Sequence, residues 1–203
     1  NYACLIRIVI NSALVNLLNV TVCSSTNGGN FNALINSQQR SNFRINCLII
    51  DRDCGAQLKA ESNSIPIRRI NRQNEQIEND LMQAIPRNTD LIVLAGFLSI
   101  IPASICEKWH RKIINSHPSL LPKFGGRGMY GIKVHEQVME AKEEFSGCTI
   151  HFVTTNVDMG EIILQERIKI NYSKTAWTLG GDVHELENKL LVKAIEKLRY
   201  NLL

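Results

Sequence analysis

Short apolar runs alternate with amphipathic stretches through the first two thirds of the chain. Val15 to Cys23 reads as a first strand and Asn30 to Gln38 as the helix behind it. Ile45 to Ile50 reads as a second strand, Ala56 to Ser62 as helical, and Ile65 to Ile70 as a short strand. Asn74 to Ile85 spaces Ile77, Leu81 and Ile85 for one buried helical face. The continuous run Leu91 to Phe97 (LIVLAGF) has the pattern of a strand covered on both sides. Ile101 to Trp109 is a further short helix leading to a strand at Ile113. Strands alternating with helices predict an α/β fold with a parallel sheet and right-handed crossovers.

After residue 130 the pattern changes. Val134 to Glu143 reads as a helix, and Thr149 to Thr154 and Ile162 to Ile170 as strands paired in an antiparallel extension. Gly180 and Gly181 are expected to precede a long amphipathic helix. On it Val183, Leu186, Leu190, Leu191, Ala194, Ile195 and Leu198 form one stripe. No internal repeat or linker interrupts the pattern, so one domain is expected. The apolar start, NYACLIRIVINSALVNLLNVTV, is broken by Arg7 and several asparagines and is not expected to span a membrane. It has neither the basic start nor the cleavage site of a secretory leader.

Composition narrows the function classes. At 203 residues with 44% hydrophobic and 21% charged positions, the chain is long enough for an ordinary core. The net charge of +4 is scattered, which suits an anionic small molecule better than nucleic acid. Six cysteines (Cys4, Cys23, Cys47, Cys54, Cys106, Cys148) show no zinc-type spacing and are read as reduced core residues of a cytoplasmic protein. His135, His151 and His184 lie on different elements, so no metal site is expected, and His151 reads as a core residue.

Four places carry candidate chemistry. Ser24 to Asn30 (SSTNGGN) lies between a strand and a helix, where small residues and a helix N-terminus can hold a phosphate. An ordinary turn is the competing reading. Asn115 and His117, on alternate positions at a strand end, offer an oxyanion donor and a proton carrier. The competing reading is a loop-anchoring amide and a structural imidazole. Asp158, in the turn VDMGEII, would orient His117 if the fold brings them together. Leu94 to Ile101 ends at the C-terminal edge of a strand, where open α/β sheets bind ligands.

The segment N-x-H-P-S-L-L-P, here Asn115 to Pro122, is shared across 10-formyltetrahydrofolate-dependent formyltransferases. With KFGGRGMYGIKVHEQV after it, and LAGFLSII, SGCTIHFV and VDMGEIILQ in order, the chain resembles the phosphoribosylglycinamide formyltransferase family from about Val20 to its end. The resemblance implies a single-domain, mostly parallel Rossmann-like twisted sheet with an antiparallel C-terminal extension and flanking helices. Residues 14–110 would be a phosphate-binding half and 111–203 a catalytic and folate-binding half, with 1–13 unassigned. It implies formyl transfer from the co-substrate 10-formyltetrahydrofolate to the amine of glycinamide ribonucleotide in purine biosynthesis, by direct amine attack and without a metal.

Carried over by position, Asn115 would bind the formyl oxygen, His117 would carry the proton, and Asp158 would raise the His117 pKa and orient a water. Gly28, Gly29 and Asn30 would hold the substrate phosphate, with His184 and Glu187 also meeting the ribonucleotide. Leu98, Ser99, Ile100 and Ile101 would line the folate pocket, together with Asn115 and Arg72, and Pro122 would follow a cis peptide bond. Thr26 and Gly29 depart from the family's G-N-G-S-N loop, and Asp51-Arg52-Asp53 replaces a more neutral stretch. A threonine resists φ > 0, so a differently shaped loop is expected. A monomer or homodimer without nucleic-acid or membrane partners is expected. The alternatives are a 10-formyltetrahydrofolate hydrolase and a non-catalytic folate or nucleotide binder.

Overall fold

The structure, a computed structural model, describes residues 17–72 and 76–202. The reading of the first residues, the start of the first strand and the start of the helix expected from Asn74 lie outside the described residues. Seven strands form one sheet: β1 (Leu18–Ser24), β2 (Phe43–Ile50), β3 (Ile67–Arg69), β4 (Leu91–Leu94), β5 (Ile113–His117), β6 (Phe145–Phe152) and β7 (Ile162–Lys169). Their order is β3-β2-β1-β4-β5-β6-β7. The pairs from β3 to β5 are parallel, and β5–β6 and β6–β7 are antiparallel, as the pattern predicts. The helices are α1 (Gly29–Ser37), α2 (Gly55–Ser62), α3 (Ile77–Ala84), α4 (Ala103–Lys108), α5 (Ile132–Glu140) and α6 (Ala176–Leu202).

Strand alternation divides the core between the two faces of the sheet. Val20, Val22, Leu48, Val93 and Ile114 face α1, α2 and α6, meeting Phe31, Leu34, Leu186, Leu190 and Ile195. Cys23, Cys47, Ile49, Ile92 and Ile113 face α3 and α4, meeting Leu81, Ala84, Ile105 and Cys106. Full burial of each Leu or Ile is worth about 2 kcal/mol relative to exposure, so the α6 stripe is a major anchor of the first face. Among the described residues no helix is long and apolar enough to cross a membrane.

Two elements differ from expectation. Gly180 and Gly181 lie inside α6, which starts at Ala176. A Cβ on Gly180 would come 3.0 Å from Cδ2 of His135, so this glycine serves a close helix–helix approach rather than a helix start. Strand β6 begins at Phe145 rather than Thr149. Its Ser-Gly pair looks like a turn in sequence. A Cβ on Gly147 would strike the Glu166 carbonyl of β7 at 2.1 Å, so the strand requires a glycine where it passes its neighbour.

The order of strand addition reverses at β1: β2 and β3 lie on one side of it, β4 and β5 on the other. Such a switch point leaves a crevice at the C-terminal ends of the strands. Every candidate segment except the one holding Arg72 borders that crevice.

Candidate active site

The crevice is a cleft of about 840 Å³. Its lining includes Gly28, Gly29 and Asn30, Leu98 to Ile101, Asn115, His117, Asp158, His184 and Glu187, so residues distant in sequence meet in one place. Arg72 is exposed, just past β3, and is not part of the lining.

The first wall is built from the loops after β1, β2 and β4. Gly28 caps α1 at φ 71°, and a Cβ there would come 2.8 Å from Cα of Ala56. The left-handed conformation and the tight approach to α2 both demand glycine at this point. The φ > 0 position therefore falls on Gly28 and not on Thr26, whose side chain packs against Gly96 instead. The N–H groups that open α1 are left facing the cleft, ready for an anion.

Asp51, at the end of β2, ties this wall together. Its side chain is fully buried and accepts hydrogen bonds from Arg52 Nε at 3.1 Å and Ser99 Oγ at 2.6 Å. Ser25 also donates to it, while accepting from the Leu98 amide at 2.9 Å. Burial alone would raise the Asp51 carboxyl, but the bonds from Arg52, Ser99 and Ser25 and the Arg52 charge hold it below the ordinary carboxylate range. The Leu98–Ile101 segment is thereby held by its backbone and by one hydroxyl. Leu98 and Ile100 remain 40% and 55% exposed, an apolar surface on the cleft.

The second wall carries the titratable groups. His117, 4% exposed, points Nε2 at the Phe124 carbonyl at 2.7 Å. A carbonyl only accepts, so Nε2 bears the proton and Nδ1 is the basic atom. That Nδ1 lies 3.5 Å from Asp158 Oδ2. The other carboxylate oxygen lies 3.5 Å from Nε2 of His151. Asp158 sits at φ 57° in the turn between β6 and β7 and also accepts the Gly126 amide at 2.8 Å. Burial would raise its carboxyl. The His151 and His117 imidazoles and the Gly126 amide outweigh burial and lower it.

His151 is the residue the sequence reading undervalued. It is buried as expected, yet β6 runs antiparallel to β5 and sets it opposite Asn115. His151 Nδ1 donates to the Phe152 carbonyl at 2.9 Å, so Nε2 is free to accept from Asn115 Nδ2 at 3.2 Å. One amide proton of Asn115 is thus used to fix its orientation, and the second is available to a ligand. Knowledge of the β5–β6 register was the missing signal. The loop that follows is pinned by Thr149, which donates to the Ser119 carbonyl and accepts from the Leu121 amide. The Leu121–Pro122 bond is cis, as expected.

Helix α6 closes the cleft. Glu187, 8% exposed, accepts from Ser116 Oγ at 2.6 Å and lies 3.5 Å from Nδ1 of His184. The hydrogen bond and charge of Glu187 raise the His184 pKa against partial burial. A Cβ on Gly29 would come 2.1 Å from Nε2 of His184, so this imidazole stands over the start of α1. His135, buried on α5, has no partner for Nδ1, and burial lowers its pKa despite the nearby Glu187. The assembly offers an anion seat, a fixed amide donor, a proton-carrying imidazole with a carboxylate beside it, and an apolar wall.

A family model described as formyl transferase matches residues 18–195. The chain is 33% identical over 187 residues to the chloroplastic phosphoribosylglycinamide formyltransferase of Vigna unguiculata, covering 88% of this chain and 60% of that protein. It is 35% identical over 189 residues to the trifunctional purine biosynthetic protein adenosine-3 of Gallus gallus, covering 89% of this chain and 18% of that protein. The chain thus spans 60% or less of the length of these curated relatives. Among solved structures, phosphoribosylglycinamide formyltransferase from Anaplasma phagocytophilum superposes with a TM-score of 0.81 at 33% identity, over 91% of this chain and 88% of that one. A formyltetrahydrofolate deformylase from Pseudomonas syringae shares the fold, with a TM-score of 0.82 at 20% identity, over 92% of this chain and 63% of that one. A family match over nearly the whole described chain, and a solved relative matched over most of its length, lead to one conclusion: the chain belongs to the formyl transferase family.

Proposed function

We propose that this chain transfers the formyl group of 10-formyltetrahydrofolate to the amine of glycinamide ribonucleotide, a step of purine biosynthesis. The observation that carries the reading is the Asn115–His117–Asp158 cluster placed between an anion seat and an apolar wall. The ribonucleotide phosphate sits at the start of α1 against Gly28, Gly29 and Asn30, with His184 above it. Its remaining polar groups reach Glu187. The pterin lies along Leu98 to Ile101, which presents the formyl carbon beside Asn115.

The amine nitrogen attacks the formyl carbon, and the carbonyl oxygen takes the developing negative charge. Asn115, held in place by His151, donates its free N–H to that oxygen. His117 Nδ1 takes up the proton the amine must lose, with Asp158 as the anion beside the resulting imidazolium. The tetrahedral carbon collapses, its bond to the folate nitrogen breaks, and that nitrogen receives a proton, so formylated amine and tetrahydrofolate leave. No covalent enzyme intermediate is required. The five described cysteines are all unpaired, which supports a reducing compartment such as the cytoplasm.

The test follows tetrahydrofolate formation from 10-formyltetrahydrofolate with and without glycinamide ribonucleotide. Formation only in the presence of the ribonucleotide is expected. Equal formation without it would assign the protein to hydrolysis, and folate binding without turnover would assign it to binding alone. In the His117→Ala variant turnover is expected to fall by about 10²-fold or more, the scale of acid–base catalysis.

A further inference from the structure

Strand β5 presents two faces to the cleft, and only one belongs to the catalytic cluster. Ile113, Asn115 and His117 share one side of the pleat, and Ile114 and Ser116 share the other. Ile114 is fully buried in the core that includes Leu186 and Leu190 of α6. Ser116 lies two residues further along the same face, where that packing surface reaches the cleft, and meets the same helix one residue beyond Leu186. A hydroxyl stands where an aliphatic side chain would continue the core, and its Oγ donates to Glu187 Oε1 at 2.6 Å. Ser116 is itself buried, 9% exposed, and no role in the formyl transfer has so far fallen to it.

We infer that Ser116 is a positioning residue for the acceptor substrate, acting through Glu187. The inference rests on the reading above in which Glu187 meets the acceptor. A glutamate has three rotatable bonds, and in a cleft its carboxylate needs more than one restraint to stay in a single geometry. Here the two oxygens are restrained separately: Oε1 by Ser116 on the catalytic strand, and Oε2 by His184 Nδ1 at 3.5 Å on the same helix. A carboxylate has about four acceptor positions, so two directions remain for hydrogen-bond donors of a ligand. Glu187 and Ser116 both line the cleft, so those directions are in reach of an acceptor whose phosphate is seated at α1. The hydroxyl also ties the acceptor side of α6 to the strand that bears Asn115 and His117. The amine is therefore placed relative to the atoms that act on it.

Steady-state kinetics of Ser116→Ala and Ser116→Thr, read beside Glu187→Gln, test the inference. Losing one hydrogen bond to a charged group is expected to raise the KM for glycinamide ribonucleotide about tenfold. The KM for 10-formyltetrahydrofolate and kcat are expected to stay within about threefold of wild type, because the catalytic face is untouched. Ser116→Thr keeps the hydroxyl and is expected to recover most of the acceptor KM. Should the alanine variant fold poorly, Ser116→Cys keeps the shape with a much weaker donor and is expected to show the same split. An unchanged acceptor KM in Ser116→Ala, with a raised one in Glu187→Gln, would overturn the role of Ser116 alone. An unchanged acceptor KM in Glu187→Gln would overturn the placing of the acceptor against Glu187, and the role of Ser116 with it. Equal rises in both KM values would mark a general loss of structure and overturn the inference too.

Discussion

The two walls of the cleft hold their buried carboxylates in different company. Asp51 faces a guanidinium and two hydroxyls, none of which changes charge near neutral pH. Asp158 faces two imidazoles and one amide. Both carboxyls are lowered, yet by different means: permanent donors around Asp51, titratable rings around Asp158. The first arrangement fixes a wall, and the second suits the proton transfer proposed above. Burial and pKa direction alone would not have told them apart, whereas the chemistry of the partners does.

Asp158→Asn tests that contrast most severely. The amide keeps the shape and can still accept the Gly126 N–H, but it removes the anion from His117 and His151. Turnover is expected to fall about 10²–10³-fold while both KM values stay within about threefold. A variant with near-normal kcat would place Asp158 in the same class as Asp51 and collapse the comparison.

Asp51→Asn is the reciprocal test. The loss is expected in stability, about 2 kcal/mol for a hydrogen-bonded buried charge, measured by denaturant unfolding. A lowered folded pKa contributes stability that is present above the unfolded carboxyl value of about 4 and lost as pH falls through the folded value. The gap between wild type and Asp51→Asn is therefore expected to close in acid. His184, whose pKa is raised, behaves in the opposite sense: its contribution is full below about 6.5 and fades as pH rises through the folded value. His184→Ala is expected to lose its effect on the alkaline side, again by unfolding measurements. Asp51 and His184 thus answer to opposite ends of the pH scale.

How much of this could be read from the residues follows the range of each interaction. LIVLAGF and the α6 stripe are local periodicities: β4 takes the first four residues of that run, and α6 carries the stripe although it starts at Ala176, ahead of the two glycines. Asn115 and His117 are two residues apart on one strand, so their common face was legible. Asp158 reaches His117 only through a β6–β7 turn held in the left-handed region, and spacing alone carries no trace of that contact. The place of His151 opposite Asn115 depends on the antiparallel β5–β6 register. Asp51 joins three loops, each unremarkable by itself, so its role emerged only once the sheet order had brought the three together. Gly180 was misread because helix-breaking composition and helix–helix approach leave the same residue in the sequence.

Helix α6 also meets the start of α1 at the cleft, which allows the smallest of these tests. A Cβ on Gly29 would come 2.1 Å from His184 Nε2, the far end of a side chain that is 41% exposed and free to turn outward. Gly29 begins α1 and does not have a positive φ, so alanine suits the backbone there. Gly29→Ala is therefore expected to leave unfolding stability within about 0.5 kcal/mol while displacing the imidazole from the anion seat. The KM for glycinamide ribonucleotide is expected to rise about tenfold, the scale of one charge-assisted contact. Residues acting through one contact are not additive, so Gly29→Ala combined with His184→Ala is expected to cost little more than His184→Ala alone. Full additivity in that double-mutant cycle would mean that the glycine serves the phosphate directly and that Gly29 and His184 act independently.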